Sequence, residues 1–118
     1  MKTIDEIKHE TELPAVIANH RGLITFVNER FEEAFGWRNN EIIGKPLTVI
    51  IPQRLHDSHH LGFSRFVMTG KPTLLNKPLK LKAITKEGQE FDSEHVIIAE
   101  QQQGEWIFGA TIQPCEKK

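Results

Sequence analysis

The stretch that decides the fold runs from Leu79 to Ile112. It reads Leu79-Lys80-Leu81-Lys82-Ala83-Ile84-Thr85, the turn Lys86-Glu87-Gly88, the run Glu90 to Glu100, the turn Gln102-Gln103-Gly104, and Trp106 to Ile112. Each run is rich in residues that suit a pleated surface, and each gap is short, polar and glycine-bearing, the pattern of consecutive hairpins. In the first run Leu79, Leu81 and Ala83 alternate with Lys80, Lys82 and Ile84, so one face is largely polar. An antiparallel meander is the expectation.

Toward the N-terminus, two further β-type runs, Ala15 to Ala18 and Leu23 to Val27, flank Asn19-His20-Arg21-Gly22, where glycine suits a tight turn. Asn28 is a credible cap for a helix Glu29 to Phe35, with Phe31, Ala34 and Phe35 inward and Glu29, Glu32 and Glu33 outward. Gly36 ends it, and Asn39 to Gly44 reads as another helical turn. Ahead of all this, Thr3 and Glu6 fit a capping box, with Ile4 and Ile7 on one narrow apolar face. Leu13-Pro14 breaks that helix. The longest helix signal runs from Pro52 to about Met68, closed by Gly70 and Pro72. Strands, then a block of helices, then strands indicate α+β: the first two strands join the edge of the meander, giving one five-stranded antiparallel sheet.

At 118 residues the chain is one domain's worth, and 38% hydrophobic with 26% charged residues is an ordinary globular composition. A net charge of −1 lacks the basic excess of a nucleic-acid or membrane-surface binder. Its one cysteine, Cys115, cannot form an internal disulfide, so a reducing compartment, the cytoplasm, is expected. Apolar runs such as Val96 to Ala99 are far short of the roughly 20 residues a membrane span needs.

Five stretches now carry a resemblance. They are Pro14 to Ala18, Gly22-Leu23-Ile24-Thr25-Phe26-Val27-Asn28, Phe31 to Trp37, Glu41-Ile42-Ile43-Gly44-Lys45-Pro46-Leu47, and Lys86-Glu87-Gly88-Gln89-Glu90-Phe91. In this order and spacing, from about Leu13 to Ile112, the chain resembles the PAS (sensory box) domain. That resemblance implies a sheet of order 2-1-5-4-3 with short helices covering a small pocket over one face. It also implies a role in sensing a ligand, light or redox state and in pairing with other domains. The domain reading is an N-terminal helical cap at 1–12, a PAS domain at 13–114 and a tail at 115–118.

Three histidines, His56, His59 and His60, fall on the helix expected from Pro52. Helical spacing sets His59 with Leu55, Phe63 and Phe66 on an apolar face, and His56 and His60 on a polar one. The plainer reading of His59 is a partly buried histidine satisfied by one hydrogen bond. The alternative is an axial ligand to haem b, since a neutral imidazole among apolar walls is what haem iron requires. Pro52 to His59 has the spacing of the haem PAS domains of rhizobial oxygen-sensor kinases, which this helix resembles; their oxygen-stabilising arginine corresponds to Leu79. The pocket is expected to be lined by Leu55, His59, Phe63, Phe66, Leu79, Leu81, Val96, Ile98 and Ile112, and Ile4 and Ile7 to form a homodimer interface.

The cysteine needed for flavin-adduct photochemistry is missing from the helices, and there is no tyrosine, so both light-driven mechanisms of the family are excluded. Non-covalent flavin stacked on Trp37 or Trp106 ranks below an unliganded pocket. Ser58 and His59 are neighbours on a helix and face apart, and no G-x-x-x-x-G-K loop occurs, so no catalytic set emerges. The function expected is a non-catalytic sensory module that binds a small ligand or partner and relays a signal to a kinase, cyclase or chemoreceptor. A ligand-free interaction adaptor is the second alternative after haem.

Overall fold

The three hairpin-linked runs form the larger part of one sheet, in a computed structural model that describes residues 3–56 and 79–115. The elements are α1 (Ile4–Lys8), β1 (Ala15–Ala18), β2 (Ile24–Val27), α2 (Glu29–Phe35) and α3 (Asn39–Ile42). Two 3-10 turns (Leu47–Ile50 and Gln53–Leu55) follow, then β3 (Leu79–Ile84), β4 (Glu90–Gln102) and β5 (Glu105–Pro114). The strand order is β2-β1-β5-β4-β3, every pair antiparallel, so the expected topology stands. β1 has no local way to reach the meander except along β5, where it pairs Ala15 with Thr111 and Ala18 with Phe108. A bulge at Ile17/Ala18 leaves Thr25 as the extra residue of β2.

The two faces of the sheet bury different clusters. On one, Val16, Ile24, Val27 and Ile112 pack beneath Phe31 and Phe35 of α2 and Ile42 of α3. Phe31 and Phe35, one helical turn apart, stack with centroids 4.2 Å apart, which adds about 1 kcal/mol to what their burial contributes. On the other face α1 lays Ile4 and Ile7 against Ala15, Ile17 and Ile98.

The helical cap is therefore part of the same packed unit, and the expected dimer role of Ile4 and Ile7 is corrected. Their side chains are 2% and 0% exposed within one chain, so neither presents a surface to a second copy. Gly109 makes this close seating feasible: a Cβ there would lie 3.0 Å from Ile4 Cδ1 and 3.3 Å from Ile7 Cγ1. The helix is five residues long, too short to hold itself in water. Besides the packing, Thr3 caps Glu6 N–H, and the backbone N–H of Ile4 donates to Glu100 Oε2 on β4 at 2.8 Å.

Asn28 joins the two faces. Its Oδ1 accepts from Phe31 N–H, capping α2, and from Ala15 N–H at the start of β1, both at 2.9 Å. Its Nδ2 donates to the carbonyls of Glu10 and Leu13 at 2.9 and 2.8 Å, fastening the chain between α1 and β1. All four hydrogen bonds of one amide are thereby made, and alanine would remove the four at once. Asn28→Ala should cost about 3 kcal/mol in urea unfolding, from the lost cap and the stranded groups. Asn28→Asp keeps the two acceptor bonds but turns an oxygen toward two carbonyls, and should recover less than half of the loss.

Candidate functional site

Strand register settles which side chains face the helices. Directly opposed residues of an antiparallel pair share a face, and the register pairs His95 with Ile112, Ile97 with Ala110 and Ala99 with Phe108. Ile112 and Ala110 belong to the cluster beneath α2, so Ser93, His95, Ile97 and Ala99 look inward with them. Val96 opposes Thr111 and Ile98 opposes Gly109, and these point to the α1 side. The expectation that Val96 and Ile98 line the interior with Ile112 is thus corrected: alternation along β4 puts them on the far side of the sheet.

Two polar residues of β4 are buried on the inner face, and sequence reasoning had singled out neither. Ser93 is fully buried and His95 is 8% exposed. Ser93 Oγ lies 3.0 Å from the carbonyl of Leu81 and 2.7 Å from His95 Nε2. The carbonyl can only accept, and the hydroxyl has one proton, so Ser93 donates to Leu81 and must accept from His95. The imidazole is thereby fixed as the Nε2–H tautomer, with Nδ1 carrying a lone pair. Burial pushes its pKa down to about 4, so the ring is neutral at physiological pH.

The remaining expected site residues divide. His59, Phe63 and Phe66 lie outside the described residues, as does all of the helix expected from Pro52 beyond its first turn. That turn is 3-10, Gln53–Leu55, with Leu55 half-buried. Leu79 is half-buried opposite His95. Leu81, opposite Ser93, is 42% exposed and does not close the interior as expected, because β3 is an edge strand whose burial begins only at Ala83. Ile112 is in the inner cluster, as its register requires.

His56 differs from its expected outward position. Its Nε2 lies 3.0 and 2.8 Å from the carbonyls of Thr48 and Ile51, both of which only accept, so Nε2–H donates and closes the preceding turn. Arg54 holds Glu90 in a paired fork at 2.6 and 2.7 Å, which ties the same segment to the start of β4. Trp37, weighed above as a stacking platform, packs against the inner cluster with the ammonium groups of Lys86 and Lys45 at 5.3 and 5.9 Å from its ring centre. Trp106 is half-buried opposite Gln101. Among the described residues no three His, Cys, Asp or Glu side chains converge to hold a metal ion, and no helix is long and apolar enough to cross a membrane.

Comparison with known proteins agrees with this geometry. The family described as PAS fold matches residues 4–75, and the chain belongs to that family. Similar solved structures include the PAS domain of a Desulfitobacterium hafniense protein, at a TM-score of 0.73 and 17% identity over 89% of this chain and 94% of that one. A PAS domain from Colwellia psychrerythraea gives 0.73 and 12% over 93% and 92%. One from a two-component sensor histidine kinase gives 0.71 and 11% over 90% and 87%. An uncharacterised protein of Azorhizobium caulinodans is 30% identical over 105 residues; the match takes in 87% of this chain and 14% of that protein.

The buried imidazole has a pH signature. In the unfolded chain it takes a proton near pH 6.5, and in the fold only near 4, so between those values the unfolded state binds more protons. Stability is then full above pH 6.5 and falls as pH drops toward 4, by about 3 kcal/mol in all. His95→Gln should remove this component while the carboxylates titrate equally in both proteins. The difference in unfolding free energy between wild type and variant should be flat above pH 7 and shift by that amount by pH 4; parallel profiles would contradict the buried neutral ring.

Proposed function

We propose that this chain is the sensory module of a longer signalling protein, in which occupancy of the inner side of the sheet by a small molecule alters the hold on α1 at the outer side. The observation that carries this reading is that one strand serves both sites. Within six residues β4 presents His95 inward, bound to Ser93, and Ile98 and Glu100 outward, packed against and hydrogen-bonded to α1. A ligand that binds better when β4 is displaced or twisted must, by linkage, change the stability of α1 docking by its difference in affinity for the two states. α1 suits such a readout, since a five-residue helix has no stability apart from its docking.

The role is binding and relay rather than catalysis. The partner is an effector of the kinase, cyclase or chemoreceptor type. Kinase context is supported by the likeness to a PAS domain from a sensor histidine kinase, and placement in a longer chain by the small share of the Azorhizobium protein that is matched. The location is the cytoplasm, where the lone Cys115 stays reduced.

The test is a metabolite library screened by thermal shift, followed by amide exchange on each hit. At least one compound should raise Tm and also change protection of the α1 amides severalfold on the opposite face. No hit, or hits that leave α1 exchange unchanged, would refute the relay. Added hemin tests the haem alternative: a Soret shift lost in His59→Ala would replace the small-molecule reading with a haem-based one.

A further inference from the structure

The two edges of the sheet are finished differently. At the β2 edge the chain closes on itself: Ile24 N–H donates to the carbonyl of Lys45, and the Ile24 carbonyl accepts from Gly44 N–H, both at 2.8 Å. Asn39 Nδ2 donates to the carbonyl of Val27 on the same edge. At the opposite edge β3 has a strand partner only on its β4 side among the described residues. Thr85 N–H donates to the carbonyl of Gln89, which continues the register of Leu81 opposite Ser93 and Ala83 opposite Phe91. Hydrogen-bonded pairs alternate along an antiparallel ladder, so Leu81 and Ala83 turn their backbone groups to β4, and Lys80, Lys82 and Ile84 turn theirs away from it. Side chains alternate as well. Lys80 and Lys82 stand on the outer face, opposite Glu94 and Asp92, and Leu81 stands between them on the inner side, 42% exposed. An open cleft of about 280 Å3, lined by Lys80, Leu81, Lys82, Asp92 and Cys115, leaves room beside the strand.

We propose that the β3 edge receives an extended segment of a partner protein, acidic at alternate residues and apolar between them, which adds to the sheet as a further strand. Lysines on an edge guard it against unselective pairing. The leucine exposed between them gives the same edge an apolar side, so a docking strand has to satisfy both. β3 already accepts a strand that is acidic at alternate residues on its other side: Asp92 and Glu94 oppose the two lysines, and Lys82 forms an ion pair with Asp92. The incoming segment exchanges main-chain hydrogen bonds with Lys80, Lys82 and Ile84, sets its acids against Lys80 and Lys82, and covers Leu81 from the inner side. A second copy of β3 does not meet these demands, because antiparallel pairing through the outward backbone groups puts the lysines of both strands on one face. The surface is distinct from the inner face on which the sensor reading rests.

The experiment titrates the 118-residue chain with two labelled heptapeptides, one alternating glutamate with valine and the other lysine with valine, read by fluorescence anisotropy and amide exchange. In the free chain the amides of Lys80 and Lys82 should exchange rapidly while those of Leu81 and Ala83 are protected. The glutamate peptide should bind, more weakly as salt rises, and on saturation should slow exchange at Lys80 and Lys82 by about tenfold or more; the lysine peptide should do neither. Lys80→Gln removes one charge and should weaken the glutamate peptide severalfold. Lys80→Pro removes an outward N–H but no bond to β4, and should weaken it by about tenfold or more. The exchange readout on the unmutated chain stands whether or not the proline variant folds. Failure of the glutamate peptide to bind at millimolar concentration, equal binding of the lysine peptide, or binding that leaves the Lys80 and Lys82 amides unprotected overturns the proposal. So does protection of those amides that grows with protein concentration alone, which would assign the edge to a second copy. The sensor reading is decided separately, by its own thermal-shift screen.

Discussion

A strand presents its residues to alternate faces, and in this molecule the pairing of β4 with β5 decides which residues those are. The ladder runs from Ser93 opposite Pro114 to Gln102 opposite Glu105, and every other strand is placed through it: β1 pairs with β5, and β3 with β4. A slip of one residue would carry His95 and Ile97 to the α1 side and drive Glu94 into the cluster beneath α2. The register is held by opposite demands on the two faces. Phe31 and Phe35 require an apolar floor, and Ile4 and Ile7 require the missing side chain of Gly109.

The sheet is thereby a partition with one chemistry on each side, and the two sides are mechanically joined at its ends. Asn28 ties the cap of α2, above the inner face, to the segment that leads out of α1 on the outer face. Glu100 holds the first turn of α1 from β4 itself. These two attachments link α2 and β4 to α1, the connectivity that the proposed two-state relay requires.

Much of this was legible in the sequence. The hairpin spacings around Lys86-Glu87-Gly88 and Gln102-Gln103-Gly104, the cap at Asn28 and the stop at Gly36 are local signals, and each element formed where its local chemistry called for it. Phase along β4 was misjudged because Val96, Ile97 and Ile98 are consecutive apolar residues and fit either alternation. The acids resolve it: Asp92, Glu94 and Glu100 share a phase with Val96 and Ile98, so that set faces out, which leaves Phe91, Ser93 and His95 inside. The apolar pair Ile4 and Ile7 was legible as a buried stripe, but no periodicity distinguishes burial on the chain's own sheet from burial on a second copy. Helical phase from Pro52 sets His56 on the polar side; in the structure it directly follows the 3-10 turn Gln53–Leu55, and its ring reaches back onto two carbonyls.

The account comes down to one neutral imidazole, turned inward and oriented by a serine. Long-range 1H–15N correlation of the histidine side chains across a pH titration tests it most directly. His95 should show a protonated Nε2 and a bare Nδ1 at pH 7, and should hold that state until about pH 4. A His95 ring that titrates near 6.5, or that carries its proton on Nδ1, would contradict the register, the hydrogen-bond chain and the site built on them.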